Sequence, residues 1–363
     1  MNTQITLGIL GGGQLGRMST MAAARLGISV IIFCPEENSP ASHVAKETIV
    51  AAYDDKEALK KFIEKTDVIS YEFENIPVET ISYIESLKPK SIFPEKALLD
   101  VSQDRIKEKS FLNENNIRTA RWSPVATRED IASVLSDWRA DSFILKTARF
   151  GYDGKGQIKC DTKGFENNSE LNLFLENTKK QDLIMEEVVD FSCETSVIIA
   201  RDKDGKTEVY GPMLNEHKNH ILHKTFIPAN VSKHVSDQTS EIANVIANSV
   251  NLRGVLTVEL FVLNDDHVLV NEIAPRTHNS GHWSIDACAV SQFENHVRTV
   301  CGLPVGSSKH HSHAVMLNLI GNDINQIQDH IGEPNTCIHS YGKETVRDGR
   351  KMGHITFLKP IDD

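Results

Sequence analysis

Two hydrophobic patterns alternate through the first hundred residues. Short apolar runs, ITLGIL, SVIIFC and DVISYEF, are separated by segments whose apolar residues recur every three or four positions: Leu15–Leu26, Lys56–Lys65 and Val78–Leu87. Runs of that length fit strands buried on both faces, and the longer period fits amphipathic helices. Strand and helix in alternation predict a parallel sheet covered by helices, with SIFP as a further short strand. Gly27 stops the first helix.

After about residue 100 the pattern changes. A charged helix, Gln103–Asn115, leads to FILK and QIKC, two strand-like runs around a glycine loop. LIMEEVV, CETSVIIARD and TEVYGPM read as neighbouring strands, with a hairpin turn at Asp202–Gly205. A long helix over Ser236–Asn251 precedes GVLTVELFVLNDDHVLVNEIAP, and a tail from about residue 303 holds short strands: HAVMLNLIG, CIHSYGK and RKMGHITFL. The fold class is therefore α/β and α+β, in three units: an N-terminal parallel-sheet domain over 1–102, a central domain over 103–302 and a small β-rich domain over 303–363.

The opposed carboxylates carry the sharpest chemistry. If Asp265-Asp266 form a two-residue turn, Glu259 lies directly across from Glu272, and Phe261 shares a face with Val270. Directly opposed side chains sit about 4.5–5.5 Å apart at Cβ. Two ionised carboxylates at that distance repel unless a proton or cation lies between them. Hard oxygen ligands suit Mg²⁺, which fills its shell with phosphate oxygens and water. A solvated hairpin is the bland alternative.

Composition narrows the partners. The chain has 363 residues, 39 Lys and Arg against 50 Asp and Glu, and a formal charge of −11. That balance argues against nucleic acid or an anionic membrane surface, while permitting a local basic pocket. Six cysteines without CxxC spacing indicate a reducing compartment and no zinc cluster. No basic leader and no apolar run of about 18 residues is present, so a cytoplasmic protein is expected.

Two glycine loops add phosphate chemistry. GGGQLG, Gly11–Gly16, follows a strand and opens a helix, where free N–H groups favour an anion. As a dinucleotide fingerprint it fails, because Cys34 and Pro35 stand where an acidic residue belongs. GYDGKGQ, Gly151–Gln157, lies between strands and carries Lys155, as a loop that closes over phosphates would. Lys146 ends FILK within reach of the same phosphates. Glu186, Glu187, Val188 and Val189 end a strand with backbone free for adenine, and Glu194 could accept ribose hydroxyls. His217 is structural unless it shares that cleft.

In their order these residues resemble the ATP-grasp ligases. GGGQLGRM, GYDGKGQ, NEIAPRTHNSGHW and YGKETVRDGRKMGHI together are similar to the 5-(carboxyamino)imidazole ribonucleotide synthase branch, almost end to end. The resemblance implies a pre-ATP-grasp domain, an ATP-grasp domain with a lid over about 120–190, and a homodimer. It implies ATP and Mg²⁺ as cofactors, and 5-aminoimidazole ribonucleotide and bicarbonate as substrates. ATP would meet Arg105, Lys146, Gly151, Tyr152, Asp153, Gly154, Lys155, Gly156, Gln157, the 186–189 segment, Glu194, His217, Asn271 and Glu272. Glu259 and Glu272 would hold the metal. Asp153, Lys155 and Arg276 would be catalytic, Arg276 gripping bicarbonate or carboxyphosphate. Gln14, Leu15, Tyr152, Arg276, His278, Asn279 and Ser280 would contact the ribonucleotide, with Lys343, Arg350 and Lys351 on its phosphate. Two departures stand out: Ala274 replaces the Asn of the usual Glu-x-Asn-x-Arg, and Lys155 stands where Arg is common. The second keeps charge but loses bidentate grip.

Three alternatives compete. A formate-activating phosphoribosylglycinamide formyltransferase shares the layout, although GHW and the YGKETVRDGRKMGHI tail favour the carboxylating branch. A nicotinamide oxidoreductase is opposed by Cys34, and a non-catalytic nucleotide sensor by the intact Glu259/Glu272 pair.

Overall fold

The computed structural model of the chain describes residues 5–151, 155–179 and 181–361. Its first layer is a parallel sheet of β1 (Thr6–Leu10), β2 (Ser29–Cys34), β3 (Glu47–Val50) and β4 (Val68–Tyr71), in the order β3-β2-β1-β4. Alternate residues of β2 feed two cores. Val30, Ile32 and Cys34 pack with Leu15, Met18 and Ala22 of the helix Gln14–Arg25. Ile31 and Phe33 pack with Phe62, Ile81 and Ile84 of the helices Lys56–Lys65 and Val78–Leu87. Each Val, Leu, Ile, Met or Phe among them that is removed from water contributes about 1.5–3 kcal/mol. SIFP is not a strand; it contributes a single bridge, Ile69 to Ile92. The predicted helix over Gln103–Asn115 begins at Arg105, because Asp104 caps it by accepting from the N–H groups of Ile106 (3.0 Å) and Lys107 (3.3 Å). A separate short helix, Lys96–Ser102, precedes it.

The second sheet is antiparallel: β5 (Trp122–Val125), β6 (Ser142–Thr147), β7 (Gln157–Asp161) and β8 (Leu183–Glu187), ordered β5-β8-β6-β7. One face buries Phe143, Leu145 and Met185 under two helices, Arg128–Trp138 and Ser169–Asn177. The other carries Lys146 and Glu186.

The third sheet has eight strands: β9 (Cys193–Arg201), β10 (Thr207–Lys218), β11 (Ile221–Ile227), β12 (Gly254–Val262), β13 (Val268–Ala274), β14 (Ser312–Ile320), β15 (Thr336–Ser340) and β16 (Lys351–Pro360). Their order is β13-β12-β9-β10-β11-β14-β16-β15. Pairing of β11 with β14 makes the C-terminal strands a continuation of the central sheet. The helix Lys233–Ser249 covers β9 and β12 through Val235, Ala243 and Ile246.

Candidate active site

The β12–β13 hairpin sets the centre. Glu259 is paired with Glu272, as the sequence pattern predicts, but by a different route. The turn has three residues, closed by the Leu263 N–H donating to His267 O (2.8 Å), with Asp266 at φ 61°. One extra residue on β13, Asn271, bulges and restores the register beyond it. Phe261 therefore pairs with Leu269 rather than Val270, which turns into the core. Phe261 instead stacks on Phe191 at 4.6 Å.

The two carboxylates differ sharply. Burial pushes Glu259 up, but His278, His217 and Arg276 outweigh it and hold the carboxyl at about 2. Nε2 of His278 lies 2.8 Å from Glu259 Oε1. Glu272 opens onto the cleft solvent yet is ringed by protein; that surrounding mass and the charge of Glu259 raise its carboxyl above the ordinary range. Solvent at its tip weakens the effect without changing its direction.

Facing the hairpin, Lys146 Nζ donates to Glu186 Oε2 at 2.8 Å, and buried Lys109 lies 3.9 Å from Oε1. Burial raises Glu186, but the two ammonium groups win and hold it at about 2. Arg105 reaches the glycine loop, donating to Thr147 O (3.3 Å) and Gly151 O (3.2 Å). His217 forms an ion pair with Glu194, which overcomes burial and raises the imidazole pKa. Arg276 forms a two-pronged pair with Glu74; burial raises Glu74, but the guanidinium brings it to about 2. Asn279 is buried and, among the described residues, neither amide atom has a hydrogen-bond partner, a pattern that suits a side chain facing a ligand.

A second cavity, of about 520 Å³, joins the ends of the chain. Gly12, Gly13 and Gln14 face Lys343, Thr345, Arg347 and Arg350 across it, with Glu72 and Tyr53 between. Lys343 donates to Lys351 O at 2.7 Å. Burial, then Arg350, lowers its ammonium to about 8. The glycine loop serves a purpose the sequence reading missed. Glu72 accepts from the N–H groups of Gly13 and Gly16, the latter at 2.7 Å, so the helix N-terminus already holds a carboxylate. A Cβ at Gly11, which has φ 108°, or at Gly13 would collide with Glu72.

With this geometry in view, comparison with known proteins is decisive. Residues 4–103 match the ribonucleotide synthetase preATP-grasp domain, 110–293 the ATP-grasp domain, and 314–363 the phosphoribosylaminoimidazole carboxylase C-terminal domain. An N5-carboxyaminoimidazole ribonucleotide synthase of Brucella melitensis is 44% identical over 98% of this chain and 96% of its own. The chain belongs to this synthase family. The ADP complex of the Staphylococcus aureus N5-carboxyaminoimidazole synthetase superposes with TM-score 0.90 at 35% identity, covering 98% of this chain and 93% of the other. The Aspergillus clavatus synthase in complex with ADP and 5-aminoimidazole ribonucleotide gives TM-score 0.90 at 29% identity, covering 99% and 95%.

Against that family, the expected residues fall into three groups. Arg105, Lys146, Glu186, Glu259 and Glu272 form one charged cluster, continued by His217 and Glu194. Gln14, Lys343 and Arg350 line the second cavity. Others lie differently. Leu15 packs in the core, so only its backbone is available to a ligand. Ser280 is wholly buried, accepting from Ser196 and bonded to His278, and does not face open space. The Glu187 side chain turns outward to Arg121 at 3.3 Å. Val188 and Val189 border a cavity of about 900 Å³ whose lining includes neither Lys146 nor Glu259. Tyr152, Asp153 and Gly154 lie outside the described residues, between Gly151 and the loop's second half, Lys155, Gly156 and Gln157.

Glu72, Glu74, Glu108 and Lys109 were not singled out from sequence. Glu74 sits two residues past Glu72, which directly follows β4, and SYEFEN carried that hint. Glu108 is buried and accepts from Ile273 N at 2.6 Å; burial first, opposed by Lys109 and reinforced by Glu272, pushes it to about 8.

Proposed function

We infer that these residues divide the work of an ATP-dependent carboxylation. The chain is an ATP-dependent carbon–nitrogen ligase of purine biosynthesis, joining bicarbonate to 5-aminoimidazole ribonucleotide to give 5-(carboxyamino)imidazole ribonucleotide, ADP and phosphate. The observation that carries the division is the opposition of Glu259 and Glu272 opposite Lys146 and Arg105.

Two hard carboxylates, one raised by burial and by the charge of the other, are a donor set suited to Mg²⁺. When bound, the cation screens charge on the phosphates during transfer. Lys146 and Arg105 hold the phosphates from the lid side, with Lys155, Gly156 and Gln157 on the closing loop. The 186–189 backbone takes adenine, and Glu194, held by His217, takes the ribose. Asn271 lies beside Glu272 on the same strand.

Bicarbonate is a poor electrophile. Phosphorylation converts it to carboxyphosphate, which delivers carbon dioxide beside the exocyclic amine. Arg276 grips that anion by exchanging it for Glu74, while Asp153 orients the amine and Tyr152 shapes the pocket. His278 steadies Glu259, and Asn279 offers its unpartnered amide to the ribonucleotide. Gln14, Lys343 and Arg350 take the ribonucleotide phosphate, with Lys351 behind them. The chemical task is positioning, charge neutralisation and exclusion of water. A cytoplasmic homodimer, and domain borders near 102 and 302, complete the reading on the strength of the resemblance.

A coupled assay tests it. Bicarbonate with 5-aminoimidazole ribonucleotide drives ADP release, whereas formate with glycinamide ribonucleotide does not; the reverse pattern would overturn the assignment.

A further inference from the structure

The metal strand is an edge. β13 pairs with β12 on one side, and its other side is met by side chains and loop rather than by a strand. There the Val270 N–H donates to Arg118 O at 2.9 Å, and the Ile273 N–H to Glu108 at 2.6 Å. Between them lies the bulge, whose Asn271 carbonyl accepts from Lys109 Nζ at 2.7 Å, with Val270 O at 3.5 Å. Lys109 is 1% exposed. Its Nζ is also 3.9 Å from Glu186 Oε1, an oxygen with no hydrogen-bond partner among the described residues, while the other Glu186 oxygen takes Lys146.

A fully buried ammonium is costly, and packing alone would be served by Met or Leu. This ammonium instead touches both halves of the site: the bulge that aims Glu272 and the lid carboxylate that holds Lys146. We propose that Lys109 is a positioning residue that fixes the Asn271 bulge, and so the direction of Glu272, and ties the metal strand to the lid. The inference rests on the assignment of Glu259 and Glu272 as metal ligands. Partners at this remove from a metal commonly change its affinity by about 10–100-fold.

The test measures Mn²⁺ binding in the presence of ADP by electron paramagnetic resonance, beside the Mg²⁺ dependence of ADP release. Lys109→Met weakens Mn²⁺ roughly 10–100-fold and raises the Mg²⁺ requirement by a similar factor. Lys109→Arg, which keeps charge and donors, recovers most of the affinity. Lys107→Met, on the exposed side of the same helix, changes neither. If Lys109→Met does not fold, Lys109→Gln, which loses the charge but keeps an NH2 donor group, is expected to bind Mn²⁺ more weakly than Lys109→Arg and the native chain. Native Mn²⁺ affinity in the folded variant with the least donor capacity, even at reduced Tm, overturns the proposal, provided Glu272→Gln has lost the ion. Native affinity in Glu272→Gln overturns the metal assignment and the proposal with it.

Discussion

Glu74 and Glu186 sit within the same cleft as Glu259 and Glu272, yet they are kept charged by different means. Glu74 has Arg276, and Glu186 has Lys146 and Lys109, so both stay near 2 despite burial. Among the described residues, the hairpin pair shares His278, His217 and Arg276 on one side and Arg105 and Lys146 on the other. Glu259 takes that support and Glu272 is left raised. The difference teaches where the protein supplies its own counter-charge and where it leaves a carboxyl raised instead. Two carboxylates facing one another without a cation of their own are poised for one.

The largest expected effect breaks the unsupported pair. Glu272→Gln should lower kcat for ADP release roughly 10²–10³-fold at saturating Mg²⁺ while the circular dichroism spectrum stays native. Near-native turnover would show that the pair needs no ion. Next is the supported pair. Glu74 and Glu186 have folded pKa values depressed from about 4.5 to about 2, so each stabilises the fold above pH 4.5. That support, on the order of 2 kcal/mol each, is lost as pH falls from about 5 toward 2. Denaturant midpoints followed over that range should fall less steeply in Glu74→Gln than in the native chain; parallel curves would show that Arg276 gives Glu74 no special support. The smallest effect lies in the second cavity. Lys343→Ala should raise KM for the ribonucleotide about tenfold with kcat little changed, as loss of one phosphate contact would. In the native chain the same KM should climb as pH passes about 8, where Lys343 gives up its proton. An unchanged KM removes Lys343 from the phosphate site.

Much of this was readable along the chain, because it is local. The helices Lys56–Lys65 and Val78–Leu87 follow from apolar spacing alone, and the alternation of strand and helix announced the parallel sheet. The pairing of Glu259 with Glu272 was also reached, although two miscounts cancelled: the turn is one residue longer than expected, and the bulge at Asn271 adds one more on the other strand. Asp266 in a left-handed conformation and an extra residue in a ladder leave little trace in hydrophobic alternation. The glycine loop was read as a phosphate cradle, since its sequence says only that an anion fits there. Glu72, nearly sixty residues away, supplies the anion.

The sequence by itself determined which residues carry charge, where strands and helices run, and which motifs travel together. Periodicity and residue chemistry are properties of short windows and need no partner to be seen. Only the tertiary structure decided that β14 extends the central sheet, that Lys343 and Gly13 line one cavity, that Arg276 is already held by Glu74, and that Lys109 reaches β13. Each depends on segments far apart in the chain being closed onto one another. The free energy of those closures belongs to the packed whole, so no short window of residues records it.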